Sequence, residues 1–449
     1  MRLFGTNGIR GVVGKDLTPD LAVRVGRAVA TLWGPETIAL GRDTRSSGPM
    51  LRGAVASGLL ASGTHVVDVG VLPTPALQYY VKERGLHGGV IVTASHNPPE
   101  YNGIKVVDRH GMEIPREDEE KIEALVASGE FAAPEWRDVG NLASAGDAAQ
   151  LYVQGIAAKV QRDAIAKRSP HVVVDPGNGA ACLTTPYLLR MLGCRVTTIN
   201  AQPDGAFPGR NPEPTRENLA HLVAMVPALD ADLGIAHDGD ADRAVIIDET
   251  GEFVDGDRLL ALLAGEAVRR TPGLVVTPVS SSSCVEEVVR GAGGRVEYTR
   301  VGAPLVARAI YQKGAVFGGE ENGGMIFPGH LFARDGGMTA AKVVELLAVT
   351  GEPFSALVAK LPRYYLKKAS VPCPKERREE VLRRLRELAA DRKVDATDGV
   401  KVYGEGGWVL VRPSGTEAIL RIYAEGKTPE TADAMRRLGE ELVARALSG

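Results

Sequence analysis

Three times along this chain the hydrophobic pattern spells the same order of elements. A short apolar run is followed by a helical stretch, a second apolar run, and a third that ends in an unusual polar loop. Residues 37–41, 65–69 and 90–93 make the first set, which ends at Ser95. Residues 171–175, 195–199 and 232–236 make the second, ending at the acidic loop 237–243. The third set comprises residues 274–277, 295–298 and 315–317, and ends in the Gly-rich loop 318–324. Continuous apolar runs alternating with helices mark parallel strands covered on both faces. The expected fold is therefore α/β: three tandem α/β domains of similar topology. After Tyr365 the pattern changes to an amphipathic helix over 377–388, a hairpin-like region at 408–412, a strand over 419–423 and a closing helix over 428–447. That reads as a smaller α+β domain. The expected boundaries are 1–147, 148–250, 251–365 and 366–449, since 449 residues exceed what one core supports.

Composition excludes several classes of function. Charged residues make up 24% and hydrophobic ones 44%, as in globular proteins, and the net charge is only −3. No overall field recruits nucleic acid or an anionic membrane, and no apolar run is long enough to span a bilayer. The opening Met1-Arg2-Leu3-Phe4 runs at once into a Gly-rich turn and does not read as a secretory signal, so the expected compartment is the cytoplasm. Cys182, Cys194, Cys284 and Cys373 lack ligand spacing and read as structural thiols rather than a zinc site.

The polar loops carry the chemistry. Thr93-Ala94-Ser95-His96-Asn97-Pro98-Pro99 follows a buried strand, and its prolines force the backbone into a loop. That presents a hydroxyl and an imidazole at a strand end, a common place for reacting groups in open α/β sheets. A polar turn bonded to its own backbone is the alternative. Asp238, Asp240 and Asp242 stand at i, i+2 and i+4, where three carboxylates share a face and repel unless a cation lies between them. Hard oxygen ligands favour Mg²⁺ or Ca²⁺. An EF-hand is excluded, because its sixth position requires Gly and this chain has Arg243 there, with a strand following at once. Mg²⁺ with a coordination position left for a phosphate oxygen fits better; the alternative is an acidic surface turn. Glu320-Glu321-Asn322, framed by glycine pairs, offers groups suited to sugar hydroxyls. Arg412-Pro413-Ser414-Gly415-Thr416 combines an Arg, hydroxyls and turn N–H groups, which is either a phosphate cradle or a plain polar turn. The opening 4–11 loop adds Arg10, which can clamp an anion or simply sit in a terminal turn. One such loop closes each domain, as if all faced one cleft. Together they spell phosphoryl transfer on a sugar phosphate.

In these motifs, and in their order, the chain resembles the α-D-phosphohexomutases along essentially its whole length. The resemblance implies four domains around a central cleft and a phosphoserine at Ser95. That group would pass its phosphoryl to the substrate, giving a sugar 1,6-bisphosphate, and would then take back the other phosphate. It further implies one Mg²⁺ per subunit, held by Ser95, Asp238, Asp240 and Asp242, and a sugar 1,6-bisphosphate as priming activator. Lys105 would serve as acid/base or electrostatic helper, Arg10 and Arg243 would flank the phosphoryl group, and His96 would orient the loop. Glu320, Asn322 and Arg300 would bind the sugar, with Arg412, Ser414, Gly415, Thr416 and Arg421 on the non-reacting phosphate.

This sequence departs from the common pattern in the sugar loop, where many members carry a Ser at the position of Asn322 and a His at that of Gly324. His330, six residues on, is the candidate replacement. The loop form is similar to archaeal-type members, and the opening motif with Arg300-Val301-Gly302 is similar to phosphoglucosamine mutases. The expected reaction interconverts glucosamine 6-phosphate and glucosamine 1-phosphate. Phosphomannomutase/phosphoglucomutase activity by the same mechanism is the alternative, a Mg²⁺-dependent sugar phosphatase or a non-catalytic sugar-phosphate binder the rivals. The expected partner is a small phosphosugar, with neither nucleic acid nor membrane, and the chain is expected to be a monomer or homodimer.

Overall fold

The computed structural model describes residues 2–5, 7–414 and 418–448. Strands β1 (Ile9–Val12), β2 (Thr37–Arg42), β3 (His65–Val71), β4 (Gly88–Val92), β5 (Tyr101–Asp108) and β6 (Leu142–Ser144) form the first sheet, in spatial order β1-β5-β4-β2-β3-β6. The second contains β7 (His171–Asp175), β8 (Arg195–Thr198), β9 (Leu233–His237), β10 (Ala244–Asp248) and β11 (Phe253–Val254), ordered β11-β10-β9-β7-β8. The third holds β12 (Leu274–Pro278), β13 (Arg295–Thr299), β14 (Phe317–Gly319) and β15 (Met325–Ile326), ordered β13-β12-β14-β15.

The three sheets share one plan. The first long strand of each (β2, β7, β12) pairs in parallel with the next two. The last parallel strand then turns back into an antiparallel partner, giving β4–β5, β9–β10 and β14–β15. The central strands Gly88–Val92, Leu233–His237 and Leu274–Pro278 are buried at every position, which is why their sequences run continuously apolar rather than alternating.

The fourth sheet is wholly antiparallel. It is built from β16 (Tyr365–Pro372), β17 (Val394–Asp395), β18 (Val400–Gly404), β19 (Gly407–Pro413) and β20 (Ile419–Gly426), ordered β16-β20-β19-β18-β17. Its closing helix, Pro429–Ser448, packs on β19 and β20. The α/β architecture with an α+β final unit is thus as expected.

One expected loop is largely a strand, and a strand follows the Ser95 loop. The opening segment becomes β1, an edge strand pairing with β5 (Arg10 opposite Gly103), and the stretch through Lys105 is β5 itself. Pro98 and Pro99 interrupt the ladder only within the turn; beyond them Ile104, Val106 and Val107 resume a strand and are buried.

The first unit has a core of its own around Leu40, Val90, Val92 and Ile104. A second core runs continuously through the first three units, from Leu77 through Val174 and Ile235 to Leu263 and Val344. The fourth has a separate core (Val409, Val411, Ile422, Val443), joined to the third unit by a small apolar patch of Val279, Trp408 and Leu410.

Candidate active site

The three polar loops of the first three units are the same structural loop. Each is the turn between the last parallel strand and its antiparallel return, so the shared plan delivers all three to one end of their sheets. The first carries Ser95, which adopts φ +52°, a left-handed conformation that costs a non-glycine residue free energy unless its surroundings impose it. Arg45 imposes it. Fully buried, it donates to the carbonyls of Ser95 (2.8 Å), Asn97 (2.6 Å), Pro98 (2.6 Å) and Tyr101 (2.9 Å), and pairs with Asp43 at 3.1 Å. Asp43 in turn accepts from Thr93 Oγ1, which accepts from the Ser95 N–H. Arg10 clamps the same loop, donating to Asn97 Oδ1 at 2.8 Å and Ala94 O at 3.3 Å.

The second loop brings the aspartates to the serine. Gly239 lies so close to it that a Cβ there would sit 2.5 Å from Ser95 O, which only glycine avoids. Ser95 Oγ donates to Asp238 Oδ2 at 2.7 Å. Lys105, delivered by β5, donates to Asp240 Oδ2 at 2.7 Å and lies 3.5 Å from Asp242 Oδ2. Thr74 Oγ1 adds a bond to Asp240 Oδ2 at 2.6 Å. Oδ2 of each aspartate is thereby contacted. Asp240 Oδ1 and Asp242 Oδ1 are buried and accept no hydrogen bond. One ligand atom from each of the three aspartates can be chosen so that all lie within 4.8 Å of one another.

Leaving buried carboxylate oxygens unpaired costs several kcal/mol per ion, and a divalent cation among them removes that cost. The donor set, all hard oxygen, suits Mg²⁺. Charge within the triad divides accordingly. Burial, reinforced by Asp242 and Asp240, pushes Asp238 well above the usual carboxylate range. Burial acts on Asp240 in the same direction, but Lys105, Thr74 and Arg10 outweigh it and hold that group below its ordinary value. For Lys105 burial favours the neutral amine, yet Asp240, Asp242 and Glu113 raise its pKa above the ordinary value, so it stays an ammonium.

His96 lies beside the hydroxyl, with Nδ1 3.3 Å from Ser95 Oγ and accepting from Arg243 Nη2 at 3.0 Å. Burial and the cations Arg243, Arg10 and Arg334 drive its pKa down to about 2, so the ring is neutral. Arg243 also donates to Glu213 at 3.0 Å.

In the third loop, Glu320 is buried and accepts from Arg334 Nη1 at 3.0 Å, while Asn322 is exposed and its Oδ1 accepts from the Gly324 N–H. His330 does not take the place of the missing loop histidine. It is buried, stacked on Tyr79 with ring centroids 4.4 Å apart, and its Nε2 lies 3.4 Å from Asp335. A cation does reach the sugar loop, however. Arg334 Nη2 donates to Asp242 Oδ2 at 2.5 Å while Nη1 holds Glu320.

The fourth loop is again a hairpin turn, between β19 and β20. Arg412 and Arg421 are direct cross-strand partners there, and Ser414 is buried. Gly415 and Thr416 lie outside the described residues. Arg412 Nε donates to Asp398 at 3.0 Å, Asp398 also accepts from the Val301 N–H at 3.1 Å, and the exposed Arg300 lies 4.0 Å from it. Asp398, between β17 and β18, thereby links Arg412 to the third unit. A cavity of about 760 Å³ opens beside the sugar loop, walled by Glu321, Asn322, Arg216, Arg258, Arg363 and Lys368. Ser95, by contrast, is 0% exposed.

Sequence patterning could not single out Arg45, Thr74, Glu213 or Arg334. For Arg45 the one available signal was its position in the Arg-Asp-Thr-Arg end of β2.

Three α/β units whose return loops bring together a buried serine, a carboxylate triad and Glu320, followed by an α+β unit, define a phosphohexomutase-type architecture. Models of the phosphoglucomutase/phosphomannomutase α/β/α domains I, II and III match residues 1–133, 150–251 and 255–365, and that of the C-terminal domain matches 370–440. The chain belongs to the phosphoglucomutase/phosphomannomutase family. It is 46% identical to a phosphoglucomutase/phosphomannomutase of Thermococcus kodakarensis, over 100% of both chains. Identity to a phosphoglucosamine/phosphogalactosamine mutase of Sulfurisphaera tokodaii is 44%, covering 96% of this chain and 97% of that one. Among solved structures, a phosphoglucomutase/phosphomannomutase family protein from Burkholderia thailandensis superposes with a TM-score of 0.91 at 31% identity, covering 100% of this chain and 98% of the other. Among the described residues no helix is long and apolar enough to cross a membrane.

Proposed function

We propose that this enzyme is a phosphosugar mutase, moving a phosphoryl group between the 6 and 1 positions of a hexosamine or hexose, with glucosamine 6-phosphate to glucosamine 1-phosphate as its principal reaction. The observation that carries the reading is the buried Ser95 hydroxyl, 2.7 Å from Asp238 in a triad with two buried oxygens that accept no hydrogen bond. In the forward direction the phosphoryl–Oγ bond of phosphorylated Ser95 breaks as a bond forms to the sugar O1, whose proton ends on Ser95 Oγ, the hydroxyl that donates to Asp238. The resulting 1,6-bisphosphate turns over in the cleft, and Ser95 Oγ then takes the 6-phosphoryl as the phosphorus–O6 bond breaks and the serine hydroxyl proton ends on O6. A free sugar 1,6-bisphosphate primes the serine by the same route.

Mg²⁺, one per subunit, held by Asp238, Asp240, Asp242 and the Ser95 oxygen, would offset the charge of the phosphoryl oxygens. Lys105 is a fixed ammonium that holds Asp240 and steadies the same charge. His96, neutral and tied to Arg243, orients the loop; Arg10 and Arg243 flank the phosphoryl group. Glu320, Asn322 and Arg300 bind the sugar, and Arg412, Ser414, Gly415, Thr416 and Arg421 bind the non-reacting phosphate in both substrate orientations. The four functional units divide near residues 147, 250 and 365. Four buried free cysteines suit a cytoplasmic enzyme, acting as a monomer or homodimer.

The burial of Ser95 favours a mutase over a phosphatase, because transfer to a sugar requires that water be excluded. Glucosamine, glucose and mannose 6-phosphates supplied in parallel, with isomer and free phosphate both measured, test the reading. Isomer formation fastest with the glucosamine substrate is expected, together with a phosphorylated Ser95 in intact-mass spectra. Stoichiometric phosphate release, or an active Ser95→Ala variant, would overturn it.

A further inference from the structure

Arg334 follows the sugar loop by ten residues, in a segment with no recognisable motif. Its guanidinium is buried, and its two terminal nitrogens end on carboxylates of different units: Asp242 of the triad and Glu320 of the sugar loop. Two features fix it there. Its backbone forms a bridge to Ile326, and the next residues cap and open the buried helix Gly336–Thr350, with the Gly336 N–H bonded to Ala241 O in the triad loop. Its stem, in turn, fills the space above Gly324, where a Cβ would lie 2.2 Å from Arg334 Cδ. Glycine at 324 and arginine at 334 are one packing solution, with the longer side chain reaching over the residue that has none.

We propose that Arg334 is a positioning residue that couples the sugar loop to the cation site. By holding Asp242 Oδ2 it fixes the orientation of that carboxylate, whose other oxygen, Oδ1, accepts no hydrogen bond and lies 3.7 Å from Arg243 Nε. By holding Glu320 Oε2 it sets the direction of the carboxylate that would read the sugar. One planar fork does both, a task lysine cannot duplicate because its single ammonium lacks the two-pronged geometry. The state of the sugar loop therefore changes how firmly Asp242 is held, and the occupancy of the cation site changes how firmly Glu320 is held. The inference rests on the metal-assisted reading of the triad.

The test uses the full-length, dephosphorylated protein, with Mn²⁺ binding followed by electron paramagnetic resonance in the absence of any sugar. Arg334→Met is expected to weaken Mn²⁺ binding by about 10–100-fold, the usual effect of losing a partner that orients a metal ligand. Arg334→Lys should recover part of that loss. Glu320→Gln, although it touches no aspartate, should shift Mn²⁺ affinity several-fold in the parent and leave it unmoved in Arg334→Met. In steady-state kinetics Arg334→Met should raise KM for the sugar phosphate as well as lower kcat. If Arg334→Met does not fold, Glu320→Gln in the parent decides alone. An unchanged Mn²⁺ affinity in a folded Arg334→Met protein overturns the coupling, as does a Glu320→Gln shift that persists without Arg334 or is absent from the parent. Failure of the parent to bind Mn²⁺ would sink the triad reading as well. Failure of isomerisation with Mn²⁺ coupling intact would sink only the assigned reaction.

Discussion

Asp238, Asp240 and Asp242 are held in an arrangement that suits a cation better than it suits the protein without one. Burial and its two neighbours push Asp238 well above the ordinary carboxylate range, and two buried oxygens of the triad accept no hydrogen bond. Asp238→Asn removes the cost of burying that carboxyl beside Asp240 and Asp242 while keeping an acceptor for the Ser95 hydroxyl. The metal-free melting temperature should rise by about 2–4 °C, the shift that ~1 kcal/mol gives in a large folding unit, whereas the increase produced by added Mg²⁺ in the parent should vanish. Thermal melts with and without Mg²⁺ check both signs. The triad and Ser95 were legible in the sequence because their spacing is itself the chemistry: three carboxylates two residues apart, and a hydroxyl set between a strand and two prolines. Arg334 was not legible, since an Arg in the run Phe-Ala-Arg-Asp gains its meaning only from carboxylates 14 and 92 residues away.

The unit that repeats is a strand, a tight turn and an antiparallel return, and its precision depends on how each turn is held. Arg45, itself fully buried, supports the Ser95 turn through four carbonyls and the buried Asp43. Arg45→Met should cost about 3–5 kcal/mol, because it leaves Asp43 buried without its cation, and should lower kcat far more than it raises KM. Arg45→Lys keeps the charge and should restore much of the stability but little of the rate, since one ammonium cannot grip four carbonyls. Urea unfolding and steady-state kinetics on the two variants separate these effects.

The strand and helix order of the first three units could be read from apolar runs, but β1 and β5 could not. Their residues look like a glycine-spaced loop until each supplies the other's hydrogen-bonding partner. A comparable long-range dependence sets Lys401 on β18. It donates to Val279 O at 2.8 Å and lies 3.8 Å from the Trp408 ring centroid, and burial lowers its pKa to about 8. Between about pH 8 and the ordinary lysine value near 10.4, the unfolded chain binds a proton that the folded chain has released, so stability should rise with pH across that window. Below it both states are protonated and the cost of burial is constant. Lys401→Met should lack the rise, which urea midpoints measured on either side of the window will show.

Continuity of the core decides which parts of the molecule depend on one another. One apolar cluster runs without a break through the first three units, and the helix Gly336–Thr350, buried along most of its length, packs against the helices Ala148–Ala157, Arg162–Arg168 and Thr185–Met191. The fourth unit closes its own core between its sheet and Pro429–Ser448, and it meets the third through Trp408 and its few neighbours. Ser95, the triad, Lys105, Glu320 and Arg334 all lie on the first side of that division. A chain ending near residue 364 should therefore fold, melt cooperatively and still gain thermal stability from Mg²⁺, because every carboxylate and every partner that aims it remains. It should form no sugar phosphate isomer, because Arg412 and Arg421, proposed to hold the non-reacting phosphate, have gone with the fourth unit. Calorimetry with and without Mg²⁺, beside an isomerisation assay, tests this. Loss of the Mg²⁺ response on truncation would mean that the cation site needs the fourth unit for its geometry, contrary to the division of the cores.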